Sequence, residues 1–274
     1  LASQRIDREA MDFLLPYVRR QPRSFPGWVA ILRVLERSSR QDLYREQLIH
    51  TAAVASDFGR HREALQWLRE AEELSTEAGV TADLRRIYRL YALHYESLKQ
   101  PYRAALYLRL AIAAAREADD NTELRTLLPV YAYHLVKNFP ERADAARAFC
   151  YVLDARGARL SAEATRGGLA MELRQYERAD TAFTDALGLR IEEPERRARY
   201  LFFRAAARFE REELEASLKD LEESLKLRPD YHDAQNLLAY ALAVKGADLE
   251  RGLEYARTAV AANPTNGHYQ DSQG

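Results

Sequence analysis

Apolar residues recur at i, i+3, i+4 and i+7 along nearly the whole chain, in about fourteen stretches of roughly 12 to 17 residues each, the signature of amphipathic helices. No stretch alternates apolar and polar in the manner of a half-buried strand. Short breakers divide the stretches: Gln21-Pro22, Ser38-Ser39, Phe58-Gly59, Gly79, Gln100-Pro101, Asp119-Asp120-Asn121, Phe139-Pro140, Gly157, Glu193-Pro194, Arg228-Pro229, Lys245-Gly246 and Asn263-Pro264. Proline cannot donate within a helix, and glycine accepts the conformation that ends one. The pattern predicts an all-α protein.

A second pattern lies over the first. A small residue is followed about a dozen positions later by another small residue, then a bulky one after four and a small or apolar one after three more. Ala52…Ala64-x3-Leu68-x2-Ala71, Gly167…Ala179-x3-Phe183-x2-Ala186, Ala205…Ser217-x3-Leu221-x2-Ser224 and Ala239…Gly252-x3-Ala256-x2-Ala259 carry it. With Ala105 and Ala145 assigned to the intervening copies, the second small residue recurs at Ala64, Ala105, Ala145, Ala179, Ser217 and Gly252. A period of this length marks an array of helix pairs. The physical reason is close approach: two antiparallel helices on a short turn pack tightly only where the crossing point has little side chain. Each pair then leaves a face that the next pair covers.

The segments Tyr176-x2-Ala179-x3-Phe183-x2-Ala186-Leu187 and Ala198 to Pro229 resemble the tetratricopeptide repeat family, whose repeat closes on a proline. The resemblance covers roughly residues 41 to 274 and is most specific in the last 110. It implies a right-handed α-solenoid of about six to seven antiparallel helix pairs. The predicted organisation is one continuous solenoid: residues 1–40 a degenerate helical repeat, 41–160 long repeats of about 40 residues, 161–264 standard repeats, and 265–274 the start of a further repeat. In the first segment Arg5–Arg20 and Pro26–Arg37 read as helices, with Trp28 as a first-helix residue. Pro129 falls inside a helix and is expected to kink it or delay its start. With no initial Met and an end at Gly274, the chain reads as a piece of a longer protein.

Composition changes little. The chain has 274 residues, 47% hydrophobic and 30% charged, with a net charge of −1 that does not suggest a polyanion partner, so no nucleic acid is expected. Its single Cys150 excludes an intrachain disulfide, and no apolar run is long enough to span a bilayer. No phosphate-binding glycine loop, zinc-protease motif or paired-cysteine ligand set occurs, and the six His are scattered. Cys150, in an Ala-rich helix, reads as a buried inert thiol. No enzyme activity, cofactor or metal is therefore predicted.

Candidate binding residues come from the repeat. His94 and His134 are 40 residues apart and so fall at matching places on neighbouring first helices. Each is either a half-buried helix residue with a local hydrogen bond or a contact on the concave groove that first helices line in the resembled family. Eight of the 16 Tyr fall between Tyr88 and Tyr151, which offers either core packing or an aromatic floor for a peptide. The groove set predicted on this basis is Tyr91, His94, His134, Lys137, Asn138, Arg199, Phe202, Asn236 and Tyr240. The Lys/Asn carboxylate clamp of the family's chaperone-binding members is absent, since the corresponding helices offer Ile49/Ala53, Leu90/His94 and Val130/His134.

The resulting expectation is a non-enzymatic scaffold that holds a partner protein or peptide in the groove, within a larger bacterial protein or complex. The alternative is a module of an envelope polysaccharide-export or protease-adaptor machine whose catalytic, pore or anchoring part lies elsewhere. A small-ligand sensor is a third reading. The last repeats resemble bacterial envelope-associated scaffolds, which favours the periplasm or outer membrane over the cytoplasm, in a membrane-associated complex without direct insertion.

Overall fold

The computed structural model describes residues 25–38, 40–263, 267 and 269. Among them it holds thirteen α-helices and no strand. They are α1 (Phe25–Glu36), α2 (Gln41–Ala55), α3 (His61–Glu77), α4 (Thr81–Ser97), α5 (Pro101–Glu117), α6 (Asn121–Asn138), α7 (Ala143–Ala155), α8 (Arg159–Glu172), α9 (Tyr176–Gly188), α10 (Pro194–Glu210), α11 (Leu214–Leu227), α12 (His232–Lys245) and α13 (Leu249–Ala262). From α2 onward, even-numbered helices are the first and odd-numbered helices the second members of successive pairs. The helix expected over Arg5–Arg20, and the repeat start expected at 265–274 apart from Gly267 and Tyr269, lie outside the described residues.

The chain divides into two compact units within α6, between Leu127 and Leu128. Pro129 stands beside that division, inside a helix that nevertheless runs from Asn121 to Asn138. Lacking an N–H, it leaves the carbonyl four residues back without its helical donor.

Six of the predicted breakers, at Gly59, Gly79, Gln100-Pro101, Asp119–Asn121, Gly157 and Gly246, share one device with two further turns. At Gly59, Gly79, Lys99, Asp119, Gly157, Arg174, Glu212 and Gly246 the backbone turns left-handed. In each case the next N–H reaches back five residues, as in Gln100 N to Tyr95 O at 2.8 Å and Glu213 N to Arg208 O at 2.9 Å. This is the Schellman cap, which satisfies carbonyls that the helix leaves bare. Four of the eight positions are not glycine. That is why the sequence, read for Gly and Pro, gives no turn at Arg174 or Glu212.

In the N-terminal unit, α1 lays Trp28, Ile31, Leu32 and Leu35 against Tyr44, Leu48 and Ala52 of α2. It precedes α2 in the way that α3 precedes α4, so Trp28 sits in the place of a second helix. Tyr91, Tyr95 and Tyr107 stack between α4 and α5, with centroids 4.3 Å apart for Tyr91 and Tyr107 and 5.4 Å for Tyr95 and Tyr107.

The small residues sit where the helices cross. Ala52, Ala64, Ala179, Ala205 and Ser217 are fully buried. A Cβ on Gly167 would lie 2.7 Å from the Phe183 ring, so the bulky residue of one helix occupies the space that the small residue of its partner vacates. Serine replaces alanine in α11 without leaving a bare hydroxyl: Ser217 Oγ donates to Ala205 O (2.9 Å) and Ser224 Oγ to Ala198 O (2.8 Å).

Two assignments need correction by one residue. In α5 the buried series is Ala104-x3-Leu108-x2-Ala111, and in α7 it is Ala146-x3-Cys150-x2-Leu153, whereas Ala105 is only partly buried and Ala145 is exposed. One residue rotates a helix position by about 100°, enough to move it off the contact face. A 3₁₀ turn over Pro140–Arg142 lengthens the third pair's connection.

Candidate functional site

Taking the small residue of each first helix as the reference, Ala52, Ala92, Ala132, Gly167, Ala205 and Ala239 align. The residue two further on is buried in five of the six, Val54 being only partly so: His94 and His134 are at 0% and 5% exposure, and Leu169, Ala207 and Ala241 are buried too. The residue one further on is the outward one, with Leu93, Tyr133 and Tyr240 at 46%, 43% and 48% exposure. Neither His94 nor His134 therefore lies on an open surface. In α4, which faces its own partner with Ala92, the +2 position turns toward the preceding pair and the +1 position away.

His94 shows that burial in detail. Its Nε2 lies 3.0 Å from Ala52 O on α2, and its Nδ1 lies 3.1 Å from Nδ1 of His61 on α3. A carbonyl only accepts, so Nε2 carries the proton and donates; Nδ1 of the neutral ring then accepts a hydrogen bond from His61 Nδ1–H. Burial, reinforced by the charge of His61, lowers the pKa of His94 to about 4 despite the bond to Ala52. His134 stands within 3.3 Å of Asn138 Nδ2, which also donates to His134 O, and edges Phe139. Tyr91, at 3% exposure, belongs to the tyrosine stack, and burial raises its pKa well above the ordinary phenol range.

In the C-terminal unit the open faces of α6, α8 and α10 enclose a hollow of about 510 Å³. Its walls are Pro129, Val130 and Tyr133 from α6, Ser161, Ala164, Thr165, Gly168 and Leu169 from α8, and Arg199, Tyr200 and Phe203 from α10, with Phe183 beneath. Gly168 borders open space here, since a Cβ there would meet nothing within 4 Å. Tyr133 is held upright by a hydrogen bond to Glu172 (2.9 Å).

Arg199 is the one predicted residue in this hollow. It also borders a smaller hollow of about 260 Å³ formed with Glu193, Glu195, Arg196 and Arg228. Of the other predicted residues, Lys137 is exposed on α6, and Phe202 packs its ring on Tyr231 with centroids 5.0 Å apart. Tyr240 packs on Phe209 at 5.5 Å, and Asn236, on the same helix, keeps a buried Oδ1 without a hydrogen-bond donor. Tyr133 is only one of the eight tyrosines that the sequence offers for a floor and is not in the groove set, and the sequence reading does not single out Gly168 or Phe203. Counting one residue beyond each small residue finds Tyr133 and Gly168.

Nothing in the described residues suggests a catalytic constellation. No group of three or more His, Cys, Asp or Glu could hold a metal among them, and no described helix is long and apolar enough to cross a membrane. Cys150 is buried, and that burial pushes its thiol up to about 11, far from a reactive thiolate.

No protein-family model matches the sequence, and no curated protein matches it by sequence. The fold does match solved structures. A tetratricopeptide repeat protein from Parabacteroides merdae has a TM-score of 0.68 and 14% identity over 97% of both chains. The apo form of the quorum sensor NprR from B. thuringiensis has 0.69 and 12%, covering 97% of this chain and 79% of its own. PilW, a type IV pilus biogenesis factor, has 0.60 and 14%, covering 84% of this chain and 98% of its own. Helix pairs locked at small residues, Schellman turns between them and this likeness lead to one conclusion: the chain has the all-α solenoid fold of tetratricopeptide repeat proteins.

Proposed function

We propose that the protein is a non-enzymatic scaffold and that the hollow across α6, α8 and α10 receives a short segment of a partner protein. An apolar side chain of that segment fills the space above Gly168, between Tyr133 and Phe203. A carboxylate beside it meets Arg199, which borders the hollow at the edge shared with Arg196 and Arg228. The observation that carries this reading is the open, largely apolar floor with a single guanidinium at its rim, the combination that pocket-and-anchor peptide recognition uses. Tyrosine supplies contact area with few rotors to freeze.

Gly168→Met tests it. The side chain would enter the hollow without touching the fold, because the added Cβ has free space. Captures from native extract by wild type, Gly168→Met and Arg199→Glu, compared by quantitative mass spectrometry, should show the same partner lost from both variants. Equal yields from all three, with unchanged melting temperature, would remove the hollow from consideration.

The likeness to a pilus biogenesis factor supports an envelope-associated assembly as the setting. Fractionation of cells that express the tagged protein tests this: recovery only with cytosolic markers would exclude it.

A further inference from the structure

The outermost line of a second helix in this array lies two residues before the small contact residue, two after it and six after it, on the side opposite the packed face. In α9 these positions are Glu177, Thr181 and Asp185, and in α11 they are Glu215, Lys219 and Glu223, as water requires. In α5, counted from Ala104, they are Tyr102, Leu106 and Leu110, at 78%, 49% and 37% exposure. The helix is thus apolar on both sides: Ala104, Leu108, Ala111 and Ala115 face the core, and the opposite stripe faces out. Ordinary packing does not account for this. An apolar stripe of three large residues spaced i, i+4 and i+8 is the complement of another amphipathic helix.

The charge beside the stripe selects among occupants. Arg103, Arg109 and Arg116 flank it, all exposed, against a single acid, Glu117. A second copy laid on this face would bring arginines to arginines, which costs rather than stabilises. We infer that the outer face of α5 is a docking surface for an amphipathic helix of a partner protein whose apolar stripe is bordered by Asp or Glu. It is separate in kind from the hollow: one takes an extended anchor on first helices, the other a helix on a second helix. A scaffold with both could hold two partners at once.

The test uses the full chain and two fluorescein-labelled helical peptides of about eighteen residues, long enough to form a helix on docking. Both carry the same leucine stripe, one bordered by Glu and the other by Lys. Fluorescence anisotropy should show the Glu-bordered peptide binding at least about tenfold more tightly. Leu106→Ser/Leu110→Ser should abolish that binding with helicity and melting temperature retained. Arg103→Glu/Arg109→Glu should reverse the preference toward the Lys-bordered peptide. Arg199→Glu should leave both affinities unchanged. Equal binding of the two peptides, binding by neither, or binding that survives the serine double variant would overturn the proposal. So would a wild-type dimer in analytical ultracentrifugation that becomes a monomer in the serine variant, since the occupant would then be a second copy.

Discussion

The same two places in a helix pair are filled by opposite chemistry in the two units. On α4, the residues one before and three after the small Ala92 are Tyr91 and Tyr95, which stack with Tyr107 of α5. On α10, the residues one before and three after Ala205 are Arg204 and Arg208. Arg204 grips Asp220 of α11 with two hydrogen bonds of 2.8 and 2.7 Å. Arg208 donates to Asp220 and to Asp180 of α9, at 2.9 Å each, and Arg211 completes the chain to Asp180 at 2.8 Å. The backbone geometry that the small residues impose is indifferent to what fills the neighbouring volume. It demands only that the filling be complete, by dispersion between rings or by charges paired with their opposites. The two solutions should fail differently.

The largest difference should come from Asp220→Ala. At 2% exposure, Asp220 holds two guanidiniums, and its removal leaves the half-buried Arg204 without its carboxylate and Arg208 with Asp180 alone, at a cost of about 3–5 kcal/mol. Urea unfolding followed by amide exchange should show protection lost in α9–α11 and retained in α4–α5. A loss under about 1 kcal/mol would mean that water replaces the carboxylate.

Acid should strike the other unit. The pKa of His94 in the fold is about 4, below the ordinary 6.5, so its contribution is fully present above pH 6.5 and is lost as the pH falls toward 4. The whole shift corresponds to about 3 kcal/mol. In His94→Gln, which can still donate to Ala52 O, that acid-dependent component should vanish from pH-resolved melting curves. The same pH dependence in the variant would shift the cause elsewhere.

Next in size is Gly167→Ala, which forces a methyl onto the Phe183 ring and should cost about 1–3 kcal/mol. Phe183→Leu should recover part of that loss in a double-mutant cycle. Gly252→Ala makes the control, because a Cβ there meets Ala239 O at an ordinary 3.5 Å. The smallest effect is stabilising: Glu212→Gly, at a left-handed φ of 63°, should add about 0.5–1 kcal/mol in thermal melts, since glycine takes that conformation without strain.

How much of this was legible is itself uneven. The glycine and proline breakers announced their turns, and the small-bulky-small spacing announced the crossings at Ala64, Ala179, Ser217 and Gly252. Ala104 and Ala146 were missed by one residue because the step between repeats is not constant. That single-residue slip matters most for the site. His94 and His134 share a register, as the sequence indicated, but both are buried, His94 against Ala52 and His61 of the preceding pair, while Leu93, Tyr133 and Tyr240 face out.

Periodicity is a one-dimensional property, and the sequence alone was enough to set the helices, their pairing and the fold class. Which side of each helix meets solvent depends on the rotation of each pair against the one before it. That rotation is fixed by contacts between pairs, such as His94 against Ala52 and Phe183 against Tyr200, between residues distant in the chain. Only the tertiary structure could therefore bury the two histidines, open the hollow above Gly168 and leave the leucines of α5 facing outward.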